Sequence, residues 1–190
     1  MQRFKRKGGT IVTTLTADEV DLLASLVGQL VEMVSEGEPA QYSGPADDSF
    51  AQWARELEQP EETSEPEDPV LKRLFPNAYP TDADAASDFR RFTERDLRTT
   101  KVAEATAVLR RLGETDRGRN PLRIPAEETD AWLRTLTSVR LAVATRLGVT
   151  DAAGAEEIAS IPPHDPRAFM ASVYEWLGFA QETMIMALDR

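Results

Sequence analysis

The sequence contains no cysteine among its 190 residues, which excludes a disulfide framework, a thiolate-held iron–sulfur cluster, a cysteine nucleophile and a thiol redox switch within this chain. With one histidine, His164, a single copy has no multi-histidine zinc site. No stretch reaches the roughly 18–20 consecutive apolar residues that cross a bilayer, so no membrane contact is expected. Positive charge is scarce overall: 22 Lys and Arg face 33 Asp and Glu, a formal net charge of −11. That balance opposes any global attraction to phosphate backbones or anionic lipid. Also missing are a Gly-rich phosphate loop, a Gly-x-Ser-x-Gly elbow, a kinase signature and the Glu-x-x-His pair of di-iron bundles. No catalytic residue, metal or cofactor is therefore assigned, and a non-enzymatic protein is expected.

What is present is unevenly distributed. Residues 1–15 carry a net charge of +4, 16–69 of −14, 70–148 of +4 and 149–190 of −5. The length suits one domain over 1–190. Within it, 38–67 reads as an acidic, partly disordered insertion, because its Glu, Asp, Pro, Ser and Gly bury too little apolar surface to offset chain entropy. An island inside it, Phe50, Trp53 and Leu57, shares one helical face and is expected to form a short docked helix. The basic start, Arg3-Phe4-Lys5-Arg6-Lys7, lacks the apolar run of a secretion signal behind it, so a cytoplasmic protein is expected.

The patterning predicts a mainly α fold, a bundle of about four long helices with a small N-terminal β-hairpin. The hairpin turns at Gly8-Gly9 into the β-branched run Thr10-Ile11-Val12-Thr13-Thr14. Thr16-Ala17-Asp18-Glu19 has the form of a capping box. It opens a helix whose apolar stripe is Val20, Leu23, Val27, Leu30 and Val34. Asp68-Pro69 starts a short helix that stops at Phe75-Pro76. A long helix over 82–113 is predicted to bury Ala85, Phe89, Phe92, Leu97, Val102, Ala105, Leu109 and Leu112. Residues 121–124 should be extended. Pro125 opens a helix with the stripe Trp132, Leu136, Val139, Val143 and Leu147, and Glu127, Glu128 and Asp130 suit its dipole. A last helix from Asp165-Pro166 is apolar around most of its circumference, with Phe169, Val173, Trp176, Ala180 and Ala187 on one side. It should lie at the centre of the bundle or against a second copy, giving a homodimer through 166–188.

Two basic features are candidates for binding an anion or a partner. Arg91, Arg95 and Arg98 are spaced i, i+4, i+7 on the long helix, flanked by Arg90 and Lys101. They could dock DNA phosphate or an acidic protein, could be a solvated face stitched by Glu94 and Asp96, or could be covered by the acidic insertion. Arg3, Lys5, Arg6 and Lys7 on the hairpin could contact phosphate or could simply discourage strand pairing. The string 143–150 resembles the first helix and turn of a helix-turn-helix. The residues that follow, Asp151 to Ile158, contain no Lys or Arg and would be repelled by a DNA groove, so an ordinary helix stop at Gly148 is favoured. His164, among prolines before a helix, reads as a surface-loop residue.

Several stretches taken in order carry a resemblance: the opening Arg3-Phe4 to Leu15 hairpin; Asp68-Pro69-Val70-Leu71-Lys72-Arg73-Leu74-Phe75-Pro76-Asn77-Ala78-Tyr79; Phe89-Arg90-Arg91-Phe92-Thr93-Glu94-Arg95-Asp96-Leu97-Arg98; and Trp132-Leu133-Arg134 with Arg140-Leu141-Ala142 and Thr145-Arg146-Leu147-Gly148. Together they resemble an actinobacterial family, the AosR-like oxidative-stress transcriptional regulators. The resemblance implies regulation, and the leading expectation is a regulator that contacts a sigma factor or transcription complex through the Arg91, Arg95 and Arg98 face and the basic hairpin, with the net charge of −11 leaving only weak contact with DNA alone. Family genes lie near that of the ClpS adaptor, which implies an adaptor in protein quality control as the alternative. A small-ligand-binding bundle is a third reading. A stress signal cannot act through a thiol here. It must arrive through a partner or through a methionine such as Met184 or Met186.

Overall fold

The computed structural model describes residues 1–35 and 66–189. Strands β1 (Lys5–Lys7) and β2 (Thr10–Thr13) form the hairpin, followed by helices α1 (Ala17–Ser35), α2 (Pro69–Leu74) and α3 (Ala83–Glu114). Strand β3 (Leu122–Pro125), a single 3-10 turn, α4 (Thr129–Arg146), α5 (Ala152–Ala159) and α6 (Ala168–Leu188) complete the order. The fold is mainly α. Most of the insertion, including the Phe50, Trp53 and Leu57 island, lies outside the described residues.

Local chemistry sets the element ends. Lys7 pairs with Thr10 across the two-residue turn, and Gly8 holds φ +62, which a side chain would strain. The capping box is reciprocal: Thr16 N–H donates to Glu19 Oε2 at 2.8 Å, and Glu19 N–H donates to Thr16 Oγ1 at 3.3 Å. Asp68 and Asp82 cap α2 and α3, accepting from Val70 and Ala85 backbone N–H groups.

The hairpin gains a third strand. The extended segment after α3 pairs antiparallel with β2, in register Ile11 to Ile124 and Thr13 to Leu122, giving the order β1-β2-β3. A sheet of three strands with one covered face is stable where an isolated hairpin is marginal. Strand β1 is left as an edge.

Helix α4 is the hub, packing on α1, α2, α3 and α6 around the fully buried Trp132. The last helix is not central, as its apolarity had suggested. It packs on α4, α5 and the hairpin, and leaves Phe169, Ile185 and Met186 exposed. The predicted stripe of α1 is buried residue for residue, Val20, Leu23, Val27, Leu30 and Val34.

Helix α3 differs from expectation over its first half. The buried residues there are Ala86, Arg90, Glu94 and Arg98, whereas Phe89, Phe92 and Leu97 are exposed. A helix is rigid, so one rotation serves its whole length. Ala105, Val108 and Leu112 are buried on the core side, and stepping back along the same face from Ala105 arrives at Arg98, Glu94 and Arg90.

Candidate interaction surface

The cations of α3 separate into distinct environments. Glu94 sits between two guanidiniums: Arg98 Nε and Nη2 donate to its Oε1 at 2.9 and 2.7 Å, and Arg90 Nε lies 3.1 Å from its Oε2. Arg98 Nη1 also donates to the Val34 carbonyl at 2.7 Å, satisfying the end of α1, and its guanidinium lies 4.6 Å from the centre of the Phe75 ring. Arg90 and Arg98 are only 9% and 5% exposed. Both side chains are therefore buried rather than displayed at the surface. Arg95 is exposed, and Arg91 is half-buried with its guanidinium 5.6 Å from the Phe92 ring centre. Lys101 reaches inward, its Nζ donating to Ser138 Oγ at 3.1 Å, and burial holds its ammonium below the usual lysine range despite the carboxylate of Glu104.

The acidic residues opening the fourth helix are also engaged. Glu128 accepts from Arg111 and Arg110, whose guanidiniums, Arg111 first, hold its carboxyl below the usual range. After α4 ends, the turn at 147–151 leads into α5, which Asp151 caps through Gly154 N–H. That helix presents Glu156 and Glu157 to solvent and buries Ile158 against Ala144, Val149 and Ala171. Its charge is wrong for a DNA groove. His164 is exposed in its loop.

The hairpin has a different geometry. Arg3, Lys5, Arg6 and Lys7 are all exposed, and the last three form the edge strand β1. An edge strand offers unpaired backbone N–H and C=O groups to an added extended chain. Beside it runs an open groove of about 480 Å³, lined by Arg3, Phe4, Lys5 and Arg6 on the strand side and by Thr183, Met186 and Ala187 of α6. Arg6 Nη1 lies 3.4 Å from the Leu188 carbonyl, over the last turn of α6. The site is thus a basic rim around an apolar floor. The sequence exposed its cations but not its floor, since no local signal places residues 183–187 beside residues 3–6.

Among the described residues no cluster of three or more His, Asp or Glu could hold a metal ion, and no helix is long and apolar enough to cross a membrane.

The family described as a domain of unknown function, DUF2017, matches residues 1–188. The chain belongs to that family. The AosR protein of Mycobacterium leprae is 32% identical over 99% of this chain and 88% of its own. Proteins of Mycobacterium bovis and Mycobacterium tuberculosis named "Oxidative stress regulator AosR" are 27% identical, covering 96% of this chain and 84% of theirs. No solved structure matches this DUF2017 chain significantly.

Proposed function

We propose that this protein is a non-enzymatic regulator of an oxidative-stress response that acts by binding another protein through its basic hairpin. The regulatory part of this reading is supported by the names of the mycobacterial relatives. The observation that carries the choice of surface is the contrast between four exposed cations on and just before an edge strand and the inward guanidiniums of Arg90 and Arg98. Arg95 and Arg91 on α3 form a second, smaller basic area. The partner class proposed is an acidic segment of a sigma factor or of a promoter-bound complex, since an extended acidic chain satisfies both the cations and the backbone groups of β1. A net charge of −11 weighs against unaided, tight DNA binding.

The test is capture of partners by the immobilised chain, compared with a variant in which Arg3, Lys5, Arg6 and Lys7 are all alanine. Loss of the captured transcription protein in that variant, with retention in Arg91→Ala/Arg95→Ala, supports the reading. Undiminished capture by the hairpin variant sinks it.

A further inference from the structure

The hairpin groove contains a sulfur atom. With no cysteine in the chain, the side-chain sulfurs are the thioethers of five methionines, Met1, Met33, Met170, Met184 and Met186. Met184 is fully buried, and Met1, Met33 and Met170 are partly buried against the core. Met186 is 46% exposed and forms part of the groove wall opposite Arg3, Lys5 and Arg6. The Arg6 guanidinium stands over the turn that carries it, near the Leu188 carbonyl.

We propose that Met186 is a modification site, the thioether on which a hydroperoxide acts, and that the cations of the groove both assist the oxidation and register it. The sulfur lone pair attacks one peroxide oxygen and the O–O bond breaks. The departing oxygen takes up the proton of the transferred one, so that hydrogen peroxide and the thioether become water and a sulfoxide. The sulfur loses two electrons and the peroxide gains them. Negative charge develops on the departing oxygen, where permanently protonated guanidiniums at the groove rim stabilise it. The product carries a polar S–O group in place of an apolar wall. Its oxygen accepts hydrogen bonds from the rim cations, which are then less available to an acidic chain. The second half of this proposal rests on the reading of the hairpin as a docking surface; the oxidation itself does not.

The experiment follows sulfoxide formation at each methionine by peptide mass spectrometry while the full chain stands in hydrogen peroxide, folded and in urea. Met186 is expected to oxidise first, several-fold faster in the folded chain than in urea, and to slow toward the urea rate in Arg3→Gln/Arg6→Gln. A folded rate at or below the urea rate, or one unchanged in that variant, overturns the proposal. The readout is the affinity for a poly-glutamate peptide. A several-fold loss after oxidation, absent in Met186→Leu, is expected, and leucine preserves the side-chain volume. Equal affinity of the reduced and oxidised chains overturns the proposed readout. Failure of both to bind the peptide overturns the docking reading of the hairpin, and the rate comparison then decides Met186 alone.

Discussion

At the scale of single residues, the most consequential placement is Glu94 between Arg90 and Arg98. One carboxylate neutralises part of a doubly cationic, desolvated site, and its removal takes away the counter-ion that the two guanidiniums share. Breaking such a group typically costs about 3–5 kcal/mol, whereas replacing all members by apolar residues of similar volume is often neutral. Glu94→Ala is therefore expected to lower the urea midpoint sharply. Arg95→Ala, on the exposed face, should cost much less, because contacts of an exposed charge are weakened by solvent. The combined Arg90→Met, Glu94→Leu and Arg98→Met variant is expected to recover most of the loss. A second residue-scale constraint is Gly118, which holds φ +81 where an added Cβ would stand 2.5 Å from the Leu15 carbonyl oxygen. Gly148 has a similar φ of +78 but open space around it. Urea titration should show a cost of about 1 kcal/mol for Gly148→Ala, the left-handed penalty alone, and a clearly larger one for Gly118→Ala.

At the scale of elements, the rotation of α3 decides which of its residues matter for stability. Phe92, at 67% exposure, should tolerate serine within about 0.5 kcal/mol. Leu112, on the buried face, should lose about 3 kcal/mol on truncation to alanine. Equal losses at the two positions in chemical denaturation would contradict the rotation described. The junction of α3 and α4 also carries a pH-dependent tie. Because Arg111 and then Arg110 depress the Glu128 carboxyl below its ordinary value near 4.5, the stability it contributes is fully present above that value. It is lost as the pH falls through the lower, folded-state value. Unfolding midpoints measured between about pH 6 and about pH 3 should therefore decline less steeply in Glu128→Gln. Element ends were largely legible in the sequence, because caps and prolines act locally: Asp68-Pro69, Asp82 and the Thr16/Glu19 box all stand where the local rules put them. The α5 helix is not legible in the sequence. Its eight residues bury a single side chain, Ile158, which is too weak a pattern to separate from a turn.

At the scale of the whole molecule, charge is arranged so that a strongly acidic chain still displays a basic edge at β1. Electrostatic attraction to a polyanion must then be short-ranged and salt-sensitive. Retention of the chain by an arbitrary DNA duplex is expected to be absent at physiological salt. Any binding at low salt should vanish when Arg3, Lys5, Arg6 and Lys7 are replaced, and a gel-shift titration over salt checks both. The sequence alone determined the helical class, most element boundaries, the α1 stripe and the excluded chemistry, because composition, capping and periodicity are properties of residues close together along the chain. Tertiary structure alone decided three things: which face of α3 turns inward, that the extended segment after it becomes the third strand, and that Met186 of the last helix faces the cations of the first strand. Each depends on residues far apart in sequence. The buried half of a rigid helix sets the orientation of its other half, and two chain ends meet only when the core between them has packed.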